Sequence, residues 1–430
     1  MNNVTTSNRR GECGESGRER GVLVGLETGM NRRWHVEDHL AELAQLASTA
    51  GAHVVDTLIQ KLRAPCAAYY IGRGKAEELH SLCAREAVDL VIFDDELSPA
   101  QVKNLQDLTG CRVIDRTELI MDIFAQRARS REGKIQVELA QLRYMLPRLT
   151  RAWTHLSRQE GGIGTRGPGE QQLEVDRRRI RGKIDHLNDK LTEIEKERGT
   201  QGKQRRRKEI PVVTIVGYTN AGKSTLMNAL THAGVLVEDR LFATLDPTTR
   251  VLALAKGRKI LLADTVGFIR KLPHHLIESF KATLDGVVSA DMLIHVVDVS
   301  HDQVEEQMDS ACGVLKEIGA GEKPAIVAFN KIDLLRDESR IKRYGRHFPL
   351  HVAVSALRGE GLDRLLKMVE AELSTQMVSC RLVLPQGEAS LISRIYEEGN
   401  VLARTYRGNS VVIEAELPAA LAGEVKHYMK

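Results

Sequence analysis

The sequence has no run of the roughly 18 to 20 uninterrupted apolar residues that a membrane-spanning helix requires. Its N-terminus lacks the apolar core of a signal peptide. The six cysteines are scattered and include no C-x-x-C pair, which argues against a disulfide framework and against a zinc site. With a hydrophobic content of 42% and a charged content of 28%, the chain is predicted to be a soluble, cytoplasmic, globular protein with reduced thiols.

The 430 residues are too many for one ordinary core, so about two to four domains are expected. Changes in pattern along the chain predict a disordered tail (1–20), an N-terminal α/β domain (21–128), a basic helical hairpin (129–209), a nucleotide-binding domain (210–374) and a small α+β domain (375–430).

Positive charge is concentrated in one segment. Residues 127–208 contain 22 Lys and Arg against 11 Asp and Glu, a net charge of +11, which leaves −7 for the rest of a chain whose total is +4. Such asymmetry is typical of a surface that meets phosphate, either in nucleic acid or on an anionic membrane.

A phosphate-binding loop is the most informative motif. The β-branched run 212–216 predicts a buried strand, and it leads into GYTNAGKST at 217–225. Glycines let backbone N–H groups turn toward an anion, Lys223 can reach the β- and γ-phosphates, and the Ser224 hydroxyl can bind Mg²⁺. Strand, loop and helix therefore occur in the order that a P-loop needs.

Three later motifs specify the nucleotide. Asp264 and Gly267 form a DxxG motif at the end of the predicted strand 259–264, where the carboxylate can hold Mg²⁺ through water and the amide can sense a γ-phosphate. NKID at 330–333 places a carboxylate that can accept the guanine N1 and N2 protons. The backbone of SAL at 355–357 can contact the base O6, so the set predicts GTP rather than ATP.

The N-terminal domain alternates strand-like and helix-like patterns, which predicts a largely parallel sheet. The predicted strands are 21–27, 53–60, 67–71, 89–94 and 111–115, and the predicted helices are 36–47, 74–85, 98–108 and 116–126. Ser98 and either Asp115 or Thr117 can cap helices. Gly72 and Gly74 are consistent with either a strand-to-helix turn or a second phosphate loop, and the turn is the favoured interpretation. The acidic residues 94–96 are predicted to be either solvated or part of a metal site, and solvation is the favoured interpretation.

The basic segment predicts two amphipathic helices whose apolar residues form a common seam. Between them, residues 161–169 contain five glycines and one proline, which predicts a mobile loop. The main clusters of Lys and Arg in this basic segment lie at 177–183 and at 203–208, and Arg166 lies in the loop. They fit phosphate contacts on folded RNA better than a merely solvated face, and since stacking aromatics are scarce, recognition by shape is expected.

These motifs, across nearly the whole chain, resemble the HflX family of P-loop GTPases. The matching stretches are GYTNAGKSTL (217–226), FATLDPTTR (242–250), DTVGFI (264–269), NKID (330–333) and, most specifically, GGIGTRGPGE (161–170). The resemblance implies an α/β fold with a P-loop GTPase domain, an N-terminal α/β domain, a helical hairpin and a small α+β C-terminal domain. It also implies binding to the large ribosomal subunit, hydrolysis stimulated by ribosomes, and splitting or rescue of stalled ribosomes.

Site residues follow from matching these motifs. Catalytic roles are predicted for Lys223, Thr244 and Gly267, and Mg²⁺ ligation for Ser224 and Thr244, with Thr248 and Thr249 as rivals of Thr244. The predicted nucleotide-binding residues are Gly217, Tyr218, Thr219, Asn220, Ala221, Gly222, Lys223, Ser224, Thr225, Phe242, Ala243, Thr244, Leu245, Asp246, Asp264, Thr265, Val266, Gly267, Asn330, Lys331, Ile332, Asp333, Ser355, Ala356 and Leu357.

Two positions modify the expected chemistry. Phe268 stands where many GTPases carry a water-orienting glutamine, so slow intrinsic hydrolysis and help from a partner are expected. Asn220 resembles the asparagine of potassium-activated GTPases, where its amide oxygen helps to hold K⁺, although an asparagine that suits the turn explains it as well.

The predicted function is GTP hydrolysis coupled to the splitting or rescue of ribosomes by a monomer that binds no DNA. Two alternatives remain. One is a GTP-dependent assembly factor for the large subunit, and the other is a GTP-switched scaffold for protein partners, with peripheral membrane association in the second case. The sequence pattern assigns no function to residues 375–430.

Overall fold

In the computed structural model, the structure describes residues 18–29, 33–152, 168–206, 210–231, 241–242, 244–245, 247–254, 258–271, 276, 281–335, 337, 339–375, 377–408 and 410–429. The chain divides into two compact units, one within residues 1–126 and 144–178 and the other within 127–143 and 179–430. The predicted tail, apart from residues 18–20, lies outside the described residues. The predicted domain bounds stay predictions.

The first unit contains a four-stranded parallel sheet in the order β2-β1-β3-β4. Its elements are β1 (Arg20–Glu27), α1 (Arg33–Ala50), β2 (His53–Lys61), α2 (Arg73–Arg85), β3 (Leu90–Phe93), α3 (Pro99–Thr109), β4 (Arg112–Asp115) and α4 (Arg116–Arg127). Every residue of β3 is buried, as expected of a parallel strand covered on both faces. The predicted α/β fold of this region is confirmed.

One predicted strand of this unit was wrong, and one pair of alternatives can now be compared with the structure. Residues 67–71 are not a strand of the sheet and make only isolated bridges, because the chain turns back at Tyr70, whose φ is 68°. The amide of Gly72, which a second phosphate loop would leave free, donates to Gln60 Oε1 at 2.8 Å. The turn interpretation of these glycines therefore fits the structure.

Side-chain caps fix the ends of the next two helices. Ser98 forms a capping box with Gln101 at the start of α3, and Gly110 ends this helix in the left-handed conformation at φ 71°. At the start of α4 the cap is Asp115, whose Oδ1 accepts the Glu118 amide at 3.0 Å. Of the two predicted candidates for this cap, Asp115 takes the role.

Two long helices follow, α5 (Arg131–Ala152) and α6 (Pro168–Arg206). Within the second unit they pack through the seam that the sequence predicted. Its buried members are Ile135, Leu139, Leu187 and Leu191. Residues 153–167, which include Arg166 and most of the predicted glycine-rich loop, lie outside the described residues.

The second unit contains a six-stranded sheet in the order β10-β9-β8-β5-β7-β6. Its elements are β5 (Val212–Gly217), α7 (Lys223–Thr231), β6 (Thr248–Ala253), β7 (Lys259–Asp264), α8 (Lys281–Val288), β8 (Met292–Asp298), α9 (Val304–Glu317), β9 (Ala325–Asn330), a 3-10 turn (Ile332–Leu334), α10 (Ser339–Gly345), β10 (His351–Ala353) and α11 (Leu362–Thr375). All neighbouring strands are parallel except β6, which runs antiparallel to β7. The mostly parallel P-loop fold is confirmed.

The chain ends in a three-stranded antiparallel sheet in the order β11-β13-β12. Its elements are β11 (Met377–Pro385), α12 (Ala389–Glu398), β12 (Asn400–Arg407), β13 (Ser410–Pro418), α13 (Ala419–Glu424) and a 3-10 turn (Lys426–Tyr428). Leu382, Ile413 and Leu421 are among its fully buried core residues, which confirms the small α+β fold. Among the described residues, no helix is both long and apolar enough to cross a membrane.

Candidate nucleotide-binding site

The predicted site residues meet at one edge of the six-stranded sheet. The P-loop follows β5, Asp264 is the last residue of β7, Asn330 is the last residue of β9, and Ser355 comes just after β10. Because these strands are parallel, their carboxyl ends lie at the same edge, which is where open α/β sheets bind ligands. Topology alone therefore gathers motifs that are up to about 140 residues apart in the sequence.

The P-loop backbone requires glycine at both ends. Gly217 and Gly222 have φ values of 148° and 93°, which side-chain-bearing residues rarely adopt. A Cβ atom at Gly217 would collide with the Val296 carbonyl, and one at Gly222 would collide with the Asn330 side-chain amide. The loop can thus lie close to the neighbouring strands only because both positions lack a side chain.

Lys223 begins α7 and points back into the loop. Its side chain is buried, and Nζ donates to the Tyr218 carbonyl at 2.7 Å. Burial lowers its pKa to about 8, against the opposing effect of the Asp264 carboxylate. The buried Lys223 ammonium group can exchange its hydrogen bond to the Tyr218 carbonyl for hydrogen bonds to phosphate oxygens.

Three oxygen-bearing side chains converge beside it. The Ser224 hydroxyl lies 2.7 Å from Asp264 Oδ2 and 2.9 Å from Thr244 Oγ1, and Thr244 Oγ1 lies 3.3 Å from the same carboxylate oxygen. The other oxygen of Asp264 is buried and makes no hydrogen bond within the described part of the chain. Burial raises the pKa of this carboxyl group, while Lys223 and the two hydroxyls lower it.

This donor set fits Mg²⁺, which prefers hard oxygen ligands and few protein contacts. Ser224 and Thr244 would hold the ion directly, with Asp264 behind them. When bound, the ion would neutralise charge on the phosphates. Thr248 and Thr249, the rivals of Thr244, lie in β6, paired in register with Asp264 and Ala263, and only Thr244 has its hydroxyl in this group.

The DxxG segment is bonded to the P-loop through its backbone. Phe268 N donates to the Gly217 carbonyl at 3.0 Å, and Thr219 N donates to the Phe268 carbonyl at 2.7 Å. The Phe268 ring is 2% exposed and packs in an apolar core with Val216 and Leu284. This side chain therefore offers no polar group at the position where a glutamine would orient water.

The base-recognition motifs are tied together by side-chain hydrogen bonds. Asn330, which is buried, donates to the Ala221 carbonyl at 2.9 Å and accepts the Ala356 amide at 2.9 Å. Asp333 accepts the Ser355 hydroxyl at 2.6 Å through one of its carboxylate oxygens. Asn330 is thus a brace between phosphate and base regions rather than only a base contact.

The sequence reasoning missed Asp298 at the end of β8. Its carboxylate pairs with Lys331 Nζ at 2.7 Å and, through the other oxygen, accepts the Ser300 hydroxyl at 2.6 Å. The backbone of Lys331 has a φ of 65°, a left-handed conformation that is uncommon for residues other than glycine. The ion pair with Asp298 helps to hold the residue in this conformation. The signal was present, because a lone acidic residue ends the buried strand 292–298.

The remaining predicted residues surround the same edge. Thr265 donates to the Ile215 carbonyl at 2.8 Å, and the Tyr218 hydroxyl accepts the Arg270 amide at 2.9 Å. Phe242 and Leu245 are buried, whereas Leu357 is 79% exposed. Partly buried positions are Thr225, Val266 and Ile332. Ala243 and Asp246 lie outside the described residues.

The acidic residues 94–96 of the first unit do not all behave as predicted. The favoured expectation was solvation, but Asp94 is 3% exposed and forms an ion pair with Arg116 at 2.7 Å. Asp95 accepts the Tyr70 hydroxyl at 2.7 Å. The described residues contain no cluster of three or more His, Cys, Asp or Glu side chains that could hold a metal ion. The expectation of solvation is therefore wrong for Asp94, whereas Asp95 is half-buried and Glu96 is exposed as expected.

Cations line the described part of α6. Arg178, Arg181 and Lys183 are exposed, and Lys183 pairs with Glu138. The side chains of 203–208 lie outside the described residues. The exposed arginines offer bidentate donors to phosphate on a rigid helix.

Comparison with protein families gives four adjoining matches. They are described as GTP-binding GTPase N-terminal (37–125), GTP-binding GTPase Middle Region (127–205), 50S ribosome-binding GTPase (212–331) and HflX C-terminal domain (341–429). Together they extend over most of both units.

Curated relatives match over similar lengths. GTPase HflX of Caldanaerobacter subterraneus subsp. tengcongensis is 46% identical over 422 residues, 97% of this chain and 96% of the relative. GTPase HflX of Escherichia coli (strain K12) is 48% identical over 381 residues, 88% of each chain. A solved structure described as the SsGBP and GDP complex is 26% identical at a TM-score of 0.48, covering 83% of this chain and 99% of that one.

Proposed function

The chain belongs to the HflX family of GTPases, and from this premise we propose that it binds the large ribosomal subunit and couples GTP binding and hydrolysis to the splitting or rescue of stalled ribosomes. The match to a 50S ribosome-binding GTPase family is the observation that carries this proposal. The exposed cations of α6 support it, because they suit an RNA partner.

The geometry supports a proposed role for each of the main nucleotide-site residues. Lys223 exchanges its bond to the Tyr218 carbonyl for the β- and γ-phosphates. Asp333 accepts the guanine protons with the oxygen that Ser355 does not occupy. The amide of Gly267, next to Phe268, senses the γ-phosphate. Together these groups would bind and orient GTP.

Hydrolysis by the isolated protein is slow in this account. The Phe268 ring is buried and cannot orient the attacking water. A partner must therefore provide a polar group or reposition the segment after Gly267, and such help in trans accelerates GTPases by about 10³- to 10⁵-fold. The ribosome is the proposed source, so hydrolysis would report correct docking.

The basic helices provide the RNA contact. Arg178 and Arg181 are exposed on α6, and the predicted loop 161–169 leads into this helix in the sequence. Few aromatic side chains accompany these cations, so the contacts would be made to backbone phosphates and to RNA shape. We assign the protein to the cytoplasm as a monomer, with no role for DNA.

A splitting assay distinguishes this function from its alternatives. Assembled ribosomes mixed with the full chain and GTP should show falling light scattering as subunits separate. A variant with Arg178→Gln and Arg181→Gln should split more slowly, while a matched variant with Arg346→Gln and Arg407→Gln, which loses the same charge from exposed positions elsewhere, should not. Activity on large-subunit precursors alone would favour the assembly factor, and no ribosomal binding would favour the scaffold.

Potassium is the second cofactor that the P-loop suggests. Asn220 has a φ of 59°, a conformation that asparagine tolerates better than most residues, so the turn alone accounts for it. If its amide oxygen also binds K⁺ beside the phosphates, hydrolysis will be faster in K⁺ than in Na⁺ at equal ionic strength. Equal rates would leave Asn220 with the turn role only.

A further inference from the structure

Thr219 has a buried side-chain hydroxyl with no partner. The residue is 6% exposed, and within the described part of the chain its Oγ1 makes no hydrogen bond. A buried hydroxyl left in this state costs about 1–3 kcal/mol. Unsatisfied groups of this kind are uncommon in folded proteins and are expected where a ligand completes them.

Thr219 lies beside Lys223 and Gly267, the two residues that are proposed to contact the γ-phosphate. A Cβ atom built on Gly267 would lie 2.8 Å from Lys223 Nζ and 2.8 Å from both Cα and Cγ2 of Thr219. The three residues therefore surround one small volume. Since Lys223 and the Gly267 amide are the γ-phosphate contacts of the site, Thr219 lies beside the phosphate that is transferred.

The backbone of Thr219 is not available to this phosphate. Its N–H donates to the Phe268 carbonyl at 2.7 Å, in the short parallel bridge that joins the P-loop to the DxxG segment. The main chain of Thr219 thus holds Phe268 in place. Only the hydroxyl remains to interact with a substrate.

We propose that the Thr219 hydroxyl donates a hydrogen bond to a γ-phosphoryl oxygen of GTP and is a catalytic residue of the reaction. Water attacks the γ-phosphorus, the bond to the β–γ bridging oxygen breaks, and the water proton leaves with the phosphate products. Thr219 is unchanged throughout. Its donor stabilises the negative charge that the γ-phosphoryl oxygens carry in the transition state.

The proposed role of Thr219 fits the presence of Phe268 at the position where many GTPases have a glutamine. The Phe268 side chain is apolar, so this part of the site has lost one polar group, while Thr219 supplies another from the opposite strand of the same bridge. The hydroxyl does not orient water, and hydrolysis therefore stays dependent on a partner. The inference rests on the proposed roles of Lys223 and Gly267 in GTP hydrolysis and not on the ribosome proposal.

The test compares Thr219→Val, which keeps the branched shape and removes the hydroxyl, with Thr219→Ser, which keeps the hydroxyl. Single-turnover hydrolysis of GTP by the full chain, without ribosomes, should fall about 10- to 100-fold in Thr219→Val. Thr219→Ser should keep most of the rate. Affinity for GDP, which has no γ-phosphate, should change little in both variants, while affinity for a non-hydrolysable GTP analogue should fall in Thr219→Val.

Thr231→Val is the matched control, because its hydroxyl binds the Met227 carbonyl at the end of α7, away from the P-loop. Wild-type rates in Thr219→Val would overturn the proposal. Equal loss of GDP and GTP affinity would also overturn it, since a hydroxyl that only supports the loop would weaken both. If Thr219→Val does not fold, loss of rate in Thr219→Ser as large as in Thr219→Ala would contradict the proposal. Basal rates contain no ribosomal step, so failure here and failure of ribosome binding give different results.

Discussion

The four-stranded and six-stranded sheets differ in how the polar groups at the carboxyl ends of their parallel strands are paired. In the first unit, acidic residues that follow β3 and β4 are paired with cations and hydroxyls of the same unit. In the second unit, the corresponding edge contains a carboxylate oxygen and a hydroxyl that have no partner among the described residues. The fold is similar, but the buried carboxylate oxygen without a partner lies at the second edge, whereas at the first edge the guanidinium Nε of Arg148 has no partner in the described part of the chain.

Asp115 shows how complete the first edge is. Its Oδ2 accepts the Tyr144 hydroxyl at 2.9 Å, Arg148 at 3.2 Å and the Leu97 amide at 3.2 Å, while Oδ1 accepts the helix-capping amide. The Arg148 guanidinium also stacks on the Tyr144 ring at 3.4 Å. A carboxylate with all its acceptor positions in use has little left for a ligand, so this network stabilises the unit.

At the second edge, groups that are expected to bind the nucleotide lower the stability of the nucleotide-free protein. Burial of Lys223 lowers its pKa to about 8, so the nucleotide-free protein holds a cation in an unfavourable place. Within the described residues, Asp264 and Thr219 each contribute an unpaired oxygen nearby. Sites that are strained in the free protein and satisfied by their ligand are typical of binding machinery. The two edges therefore differ in their oxygen atoms, because the unpaired carboxylate and hydroxyl oxygens belong to the second edge.

Removing a partner from the first edge should have the largest effect. Arg116 and Asp94 are each 3% exposed, so Arg116→Met leaves a buried carboxylate without its cation. We expect a loss of about 3–5 kcal/mol in the free energy of unfolding, measured with urea. Arg112→Met, which removes an exposed ion pair with Glu118, should cost less than about 1 kcal/mol. Equal losses would contradict the structural interpretation.

Removing a group from the second edge should affect activity instead. Lys223→Met should lower single-turnover GTP hydrolysis by about 10²- to 10³-fold, because a donor to the transferred phosphoryl group is lost. The nucleotide-free protein should be at least as stable as wild type, since a buried ammonium group is gone. The measurements are rapid-quench kinetics and thermal unfolding. Marked destabilisation with normal hydrolysis would reverse our comparison.

Base recognition should be sensitive to one carboxylate. Asp333→Asn keeps a side chain that can bind Ser355 but loses the acceptor for the guanine protons. We expect about 1.5–3 kcal/mol of GTP binding energy to be lost, and preference for GTP over other purine nucleotides to decline. Competition binding with GTP, ATP and xanthosine triphosphate measures this change. Unchanged specificity would show that Asp333 does not read the base.

The smallest effect concerns pH. Bound phosphate raises the pKa of Lys223 above its value of about 8 in the free protein, so GTP binding takes up a proton once the pH exceeds that value. Affinity for GTP should therefore fall as the pH rises above 8, by at most about tenfold per unit. Titrations between pH 7 and 9 check this, and Lys223→Met should flatten the profile. A wild-type profile as flat as that of the variant would contradict it.

Much of this comparison could be predicted from sequence. The strand-loop-helix pattern at 212–231 and the strand ends at Asp264 and Asn330 place the nucleotide motifs at one sheet edge, because parallel strands share their carboxyl ends. The apolar seam of α5 and α6 was legible from its spacing. These features depend on local pattern and on simple topology.

Other features depend on contacts between distant residues. Asp94 looked solvated because its partners, Arg116 and His39, are far from it in sequence, and only the fold brings them together. Residues 67–71 have the composition of a strand, yet the backbone at Tyr70 turns. The unpaired hydroxyl of Thr219 is invisible in a motif, since burial and the absence of a partner are properties of the folded chain.

The central claim is that the second edge is complete for binding GTP and incomplete for hydrolysing it. The direct test is single-turnover GTP hydrolysis with and without purified large ribosomal subunits, at physiological K⁺ and Mg²⁺. We predict tight binding, slow hydrolysis by the protein alone and acceleration of at least about 100-fold by the subunits, lost when residues 161–169 are deleted. Fast hydrolysis by the protein alone, or no acceleration, would contradict the claim.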